Sequence, residues 1–473
     1  MTHIKVTLGL LATLLITAIP VFASEDALPL GVRSVLKLRQ VPADSLSIYI
    51  EDVESGDVVL DWLASEPRNP ASTMKLLTTL VALDVLGPAY RWKTDVYALG
   101  QVSDGTLDGD LALKGYGDPF LVTERVWQLL RDIRHVGITK ITGDLLIDDS
   151  YFDVGDYDPG AFDRQPLRAY NVAPNAMLMN FKVVRYWFEP DGTSVRVRLD
   201  PHLENLQVDN RLTTRPGSCR GYQRGITVTM NDTNDRVTFT GRFPSGCKAY
   251  AMDRTVLSHN EFAWGIFDSM WKDSGGQFDG GWKPSVIDAE LEPLFSFDSL
   301  SLAETISSVN KHSNNVMARH LLYTLSAEQR GAPGTEEGGR EVVYDWLVER
   351  GLSTPNLTLE NGAGLSREAR ITAAEMASLL RFAWRQPYMP EYLASMSLTG
   401  LDGTLSRRFR NSKLVGKAHL KTGSLDHVAA IAGYLQGRSG RRYAVVVMQN
   451  FDDIHRGPGD EVQEALLRWL YER

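Results

Sequence analysis

The stretch Pro70-Ala71-Ser72-Thr73-Met74-Lys75-Leu76-Leu77-Thr78-Thr79-Leu80-Val81-Ala82-Leu83-Asp84-Val85-Leu86-Gly87-Pro88 carries the reading of this chain. Apolar residues from Met74 to Leu86 occur nearly all round a helical wheel, which predicts a buried helix, and Gly87-Pro88 stops it. Ser72 stands at the helix start. There the backbone N–H groups and the helix dipole favour developing negative charge. Lys75 lies three residues on, so it shares a face with Ser72. A neutral amine, kept so by burial or by a second cation, takes a proton from a serine hydroxyl. Serine plus lysine in this setting can serve as a nucleophile and its base.

Alone, the pair says little. Ser-x-x-Lys recurs at Ser34–Lys37, Ser245–Lys248, Ser269–Lys272 and Ser308–Lys311, and about two matches are expected by chance at average composition. Only Ser72 opens a long apolar helix. Ser245 sits between Pro244 and Gly246, and Ser269 is soon followed by Gly275-Gly276; neither setting suits a buried helix. No Gly-x-Ser-x-Gly elbow is present, which argues against an α/β-hydrolase.

Two further groups complete the chemistry. Ser313-Asn314-Asn315 offers a hydroxyl and a side-chain amide, although Ser-x-Asn also occurs at Ser258–Asn260 and Ser308–Asn310. Lys421-Thr422-Gly423-Ser424 is the chain's sole Lys-[Ser/Thr]-Gly and is expected to end a strand. Lys421 suits a carboxylate, Thr422 and Ser424 can hydrogen-bond it, and Gly423 lets a substrate backbone approach.

Outward from these groups, Leu46–Trp62 reads as a hairpin, with Leu46, Ile48 and Ile50 alternating with polar residues. From Tyr90 to about Glu290 short strand-like segments lie between Gly and Asp turns, read as two modules, with Thr123–His135 as the clear helix. Helical texture returns at Leu302–Leu325, Glu336–Arg350 and Thr372–Trp384. Ala418–Thr422, Ala429–Leu435 and Tyr443–Met448 read as strands, and Glu461–Tyr471 as a closing helix packed on the sheet.

Composition bounds the answer. The 473 residues are 43 % hydrophobic and 23 % charged, ordinary for a globular protein. Lys5, the apolar run Leu8–Ile19 and Val21-Phe22-Ala23 before Ser24 read as a cleaved signal peptide over residues 1–23, rather than a membrane anchor. The mature chain is then periplasmic, with no integral anchor. The formal charge of −9, without a basic cluster, makes nucleic acid a poor partner. Cys219 and Cys247 are the only cysteines; in an exported chain they read as one disulfide. No His-Glu-x-x-His occurs and two cysteines make no zinc site, so neither a metal nor a cofactor is expected. Asp104-Gly105 and Asp108-Gly109-Asp110 read as turns, since the calcium-loop pattern is incomplete. His419 and His427 read as strand-face residues.

Ser-x-x-Lys, Ser-x-Asn and Lys-Thr-Gly in this order resemble the penicillin-recognising serine enzymes. Ser313 follows Ser72 by 241 residues and Lys421 follows Ser313 by 108. The long first interval is similar to that of D-alanyl-D-alanine carboxypeptidase/endopeptidases, the class C low-molecular-mass penicillin-binding proteins. Gly115-Tyr116-Gly117-Asp118-Pro119, Asp148-Asp149-Ser150-Tyr151-Phe152 and Asp402-Gly403-Thr404-Leu405 add to the resemblance. One segment departs from it: the family's Asp-Gly-Ser-Gly-Leu-Ser-Arg is here Asn361-Gly362-Ala363-Gly364-Leu365-Ser366-Arg367.

The resemblance implies an α+β fold, an antiparallel sheet with helices on both faces, formed by residues 24–90 and 291–473 around a β-rich insertion at 91–290. It implies Ser72 as nucleophile, Lys75 as base and Ser313 as proton relay. Asn315 would bind the substrate amide, and Lys421 and Thr422 the terminal carboxylate. The N–H groups of Ser72 and Ser424 would form the oxyanion hole. Peptidoglycan peptides are the implied substrate and β-lactams the implied inhibitors. A β-lactamase and a catalytically silent penicillin sensor are the rival readings; the long insertion argues against the first and the intact motifs against the second.

Overall fold

The strand Leu46–Asp52 lies between Arg442–Asn450 and Val58–Trp62. These belong to a six-stranded sheet ordered Ser397–Leu398, Ala418–Leu425, Val428–Gln436, Arg442–Asn450, Leu46–Asp52, Val58–Trp62, antiparallel throughout. The computed structural model describes residues 25–219, 221 and 225–473; the expected leader at residues 1–23 lies outside the described residues. Val428–Gln436 is almost continuously apolar because both faces are covered. On one face Ile48, Ile431, Val445 and Val447 meet Leu466 and Leu467 of the closing helix Pro458–Tyr471, together with the helix Leu30–Arg39. On the other, Ala430, Ala432, Val446 and Met448 meet helices Lys75–Leu86, Leu302–Lys311, Asn315–Arg330 and Ala373–Trp384. The α+β architecture with helices on both faces is thus present.

Two further sheets lie between the first and second groups of core elements. One has seven strands, including the hairpin Arg91–Ser103/Thr106–Gly115, whose turn is Asp104-Gly105; it also takes in Phe295–Ser301. The other has six, spanning Val183–Asp191 to Tyr250–Thr255. A single hydrophobic cluster joins residues from both sheets with helices Thr123–His135 and His259–Asp273. Cys219 and Cys247 are disulfide-bonded in this region.

Four local expectations need correction. Helix His259–Asp273 was not expected, yet it carries a full capping box from Ser258 and Glu261. Its aromatic residues and Gly265 have modest helix propensity, so packing decides it. Ser269 sits on this helix and is buried, contrary to the reading that its setting excluded one; Lys272 is paired with Asp268 at 2.8 Å. The run Leu302–Leu325 is two helices, ended by Lys311 and restarted by Asn315. Ser313 between them is left-handed, φ 56°, and Asn314 caps the second helix by accepting from Met317 N–H. Lastly, the strand expected to end at Thr422 continues to Leu425, so the Lys-Thr-Gly motif lies inside it.

Candidate active site

Ser72 lies on a 3₁₀ turn, Ala71–Met74, that leads into the helix Lys75–Leu86. The turn is strained at its start. Ala71 is fully buried with φ 46°, a conformation that costs a non-glycine residue about 1–2 kcal/mol. Its neighbours enforce it. Asn69 accepts from Ala71 N–H at 2.9 Å. Gly364 packs so close that a Cβ there would stand 1.9 Å from the Ala71 carbonyl oxygen. Gly423 is pressed against the same turn: its Cβ would lie 2.5 Å from Pro70 O and 3.1 Å from Ser72 N. Glycine at 423 is what lets the Lys421 strand and the Ser72 turn touch.

Lys75 is wholly buried. Its Nζ donates to Ser72 Oγ at 2.9 Å, to Asn315 Oδ1 at 2.6 Å and to the Ala363 carbonyl at 2.5 Å. All three acceptors are neutral, so no carboxylate offsets the cost of burying an ammonium. Burial first, then the positive charges of Lys421 and Arg319, hold the Lys75 amine well below the ordinary lysine range. Asn315 Oδ1 faces Lys75, which leaves its Nδ2 group as a donor.

Lys421 is equally buried. It donates to Ser313 Oγ at 2.9 Å and to the Thr422 carbonyl at 2.7 Å. Burial lowers its pKa to about 7. Because Ser313 accepts from Lys421, the Ser313 hydroxyl proton is directed elsewhere. The half-buried Thr422 hydroxyl bonds Thr404 Oγ1 at 2.8 Å, and Ser424 is exposed two positions on. Thus Ser72, Lys75, Ser313, Asn315, Lys421 and Gly423 form one cluster from three distant stretches. The cysteines lie elsewhere, in the inserted sheets.

The other Ser-x-x-Lys pairs do not form such a group. Ser34 bonds its own helix at Leu30 O and Lys311 is paired with Asp402 at 2.5 Å. Ser245 follows the strand Arg236–Pro244 in a turn rather than opening a helix. His419 is half-buried near Lys311 and Asp402, and His427 is exposed, accepting from Asp453 N–H.

Three contributors escaped the sequence reading. Ala363 holds Lys75 through its carbonyl, so the family position where serine is replaced serves here through the main chain. Thr404, on the Asp402-Gly403-Thr404 turn, reaches Thr422. Arg319 is buried, with Nη1 donating to the carbonyls of Tyr170 and Val172. Its helical position four residues after Asn315 was the one available signal.

Two cavities flank the cluster. One, of about 350 Å³, lies against the Asn361–Arg367 loop and Arg319. The other, of about 1040 Å³, opens at Ser313 and Asn315 and runs to Trp127, Phe181 and Arg185.

Known proteins are similar to this chain along most of its length. A relative named D-alanyl-D-alanine carboxypeptidase, from Actinomadura sp. strain R39, is 28 % identical over 99 % of this chain and 89 % of its own length. D-alanyl-D-alanine carboxypeptidase DacB of Haemophilus influenzae is 24 % identical over 95 % of this chain and 93 % of its own. The crystal structure of penicillin binding protein 4 from H. influenzae superposes with a TM-score of 0.78, at 23 % identity, over 93 % of this chain and 99 % of that one. That likeness establishes the fold. The sequence pattern of one family matches residues 31–472, which takes in both core parts, the inserted sheets and every residue of the cluster, and so this chain belongs to the D-Ala-D-Ala carboxypeptidase 3 (S13) family of serine hydrolases.

Proposed function

We propose that this protein cleaves the D-alanyl-D-alanine peptides of peptidoglycan through an acyl-enzyme on Ser72. The observation that carries the assignment is the buried Lys75 amine, 2.9 Å from Ser72 Oγ and held below its ordinary pKa. A neutral amine in that position takes the hydroxyl proton as Ser72 Oγ attacks the carbonyl carbon. The N–H groups of Ser72 and Ser424 receive the oxyanion; the close approach of Gly423 to Ser72 N supports that pairing. The C–N bond then breaks. Ser313 relays a proton to the leaving amine, supported by its bond from Lys421. Asn315 Nδ2 holds the acyl-side amide carbonyl, and Lys421 with Thr422 holds the terminal carboxylate. Water releases the acyl group.

A β-lactam carries a reactive amide beside a carboxylate and enters the same site; a relative's structure, penicillin binding protein 4 of H. influenzae, is a complex with a β-lactam. Periplasmic location belongs to the same reading. It is supported by the leader pattern, and among the described residues no helix is long and apolar enough to cross a membrane. So does the division of the chain into core parts at 24–90 and 291–473 around an insertion at 91–290. The pairing of Phe295–Ser301 with Arg91–Ser103 favours a second junction nearer residue 301.

Benzylpenicillin should add one adduct by intact mass, mapped to Ser72 and absent from Ser72→Ala. The wild-type protein should release D-alanine from a pentapeptide or cleave crosslinked dimers. An adduct at Ser34, Ser245, Ser269 or Ser308 would overturn the assignment of the nucleophile. Rapid steady-state turnover of a cephalosporin, with no peptide cleavage, would favour a β-lactamase instead.

A further inference from the structure

The 1040 Å³ cleft has no part in the chemistry above, yet Ser313 and Asn315 form one of its walls. Ser313 on that wall accepts from Lys421 Nζ at 2.9 Å, so the cleft adjoins the proposed peptide site. The opposite wall comes from helix Thr123–His135 and the start of strand Val183–Asp191. We propose that this cleft is a saccharide subsite, seating the glycan strand to which the substrate peptide is attached. The inference rests on the peptidoglycan peptidase reading.

Three observations point to a sugar. First, Trp127 is 50 % exposed at the cleft wall. The Arg131 guanidinium stacks 5.4 Å from its ring centroid, on the same helix face. A rigid, amphipathic aromatic platform held open to solvent suits the C–H face of a pyranose.

Second, Phe181 enters the wall from a strained turn. Asn180, Phe181 and Lys182 have φ of 44°, 55° and 53°. Three successive left-handed L-residues are disfavoured at every position. The turn persists because Asn180 N–H donates to Leu121 O at 2.9 Å, Lys182 N–H to Met179 O at 2.8 Å, and Lys182 Nζ to Leu257 O at 3.0 Å. Strain maintained in this way gathers at ligand sites, and its effect here is to set Phe181 in the cleft wall, edge-to-face with Phe120.

Third, the charge is wrong for the peptide and tolerable for the sugar. Glu124, Asp200 and Asp253 line the cleft against one guanidinium, Arg185. Arg185 is already taken by both carboxylate oxygens of Asp253, at 2.7 and 3.0 Å. The remaining carboxylates repel a stem peptide, which carries free carboxylates of its own. A neutral sugar offers hydroxyl and N-acetyl donors to these acceptors and meets no such repulsion.

The test uses a tetramer of N-acetylglucosamine and the full-length protein acylated on Ser72 by penicillin, which fills the peptide site. Calorimetry should show saturable binding, weakened about tenfold or more in Trp127→Ala and largely kept in Trp127→Phe. In the unacylated wild-type protein, kcat/KM should be about tenfold higher for a disaccharide-pentapeptide than for the free pentapeptide, through KM, and Trp127→Ala should reduce that ratio towards one. No binding of the tetramer, binding indifferent to Trp127→Ala, or displacement by free stem peptide would overturn the proposal. If penicillin fails to label Ser72, the proposed function falls separately, and the same titration on unlabelled protein still decides the cleft.

Discussion

Lys75 and Lys421 are chemically identical side chains, both buried, given different work by their partners. In the proposed mechanism Lys75 faces a hydroxyl that must lose a proton, and Lys421 faces the place where a carboxylate arrives. Lys75→Ala removes the base, and acylation by benzylpenicillin should fall by about 10²–10⁴-fold, measured by stopped-flow or quenched mass spectrometry. Lys421 must be charged to attract a carboxylate, and burial sets its pKa at about 7. As pH rises through that value the free enzyme loses the charge. The expected outcome is a fall in kcat/KM for peptides with a free C-terminal carboxylate above pH of about 7. The bound carboxylate favours the charged amine, so kcat should persist to higher pH. Lys421→Ala should cost such substrates about 1.5–3 kcal/mol in kcat/KM, and its remaining activity should lack this alkaline limb.

Elements bring these residues together by close backbone contact, and glycine is the means. Gly423→Ala would put a methyl group 2.5 Å from Pro70 O, backbone that cannot rotate aside. The strand must then retreat from the Ser72 turn. We expect a stability loss of about 1–3 kcal/mol by thermal unfolding, and a larger proportional loss of penicillin acylation than of stability. Much of this was legible beforehand. Ser72, Lys75, Ser313, Asn315, Lys421 and Gly423 were named from motifs, because each must present a particular side chain, or none, to the chemistry. Ala363 and Thr404 were quoted only within family-like segments, with no role at the site. One acts through a carbonyl that every residue possesses, and the other meets Thr422 only once the Asp402 turn closes on Lys311. The helix break at Ser313 was hidden because Val309, Val316 and Met317 keep an apolar pattern running across it; the interruption comes from Asn314 capping and a left-handed Ser313. Helix His259–Asp273 was hidden in the opposite way, by composition that packing overrides.

At the scale of the whole molecule, the inserted sheets share one hydrophobic cluster, and the Cys219–Cys247 bridge ties a segment of 28 residues within them. In the chain-entropy account such a loop contributes on the order of 3 kcal/mol. Reduction should lower the melting temperature, read by differential scanning calorimetry. Benzylpenicillin labelling at low temperature should persist, since neither cysteine touches the Ser72 cluster.

The core sheet has a different consequence. Asn69 N–H, just ahead of the Ser72 turn, bonds Asn450 Oδ1 from 381 positions away, and the strand Leu46–Asp52 pairs with Arg442–Asn450. Ser72 precedes the strands 418–425, 428–436 and 442–450 that frame it by more than 340 positions. Until residues 418–450 arrive, Ser72 has neither Lys421 nor the Gly423 contact. A chain that stops short of residue 418 therefore lacks both contacts, and by the proposed mechanism it should not be acylated. Such non-local closure also makes folding slow. Chains ending at residue 436 should acquire no penicillin label, while the full-length protein should gain the label in step with its slowest refolding phase.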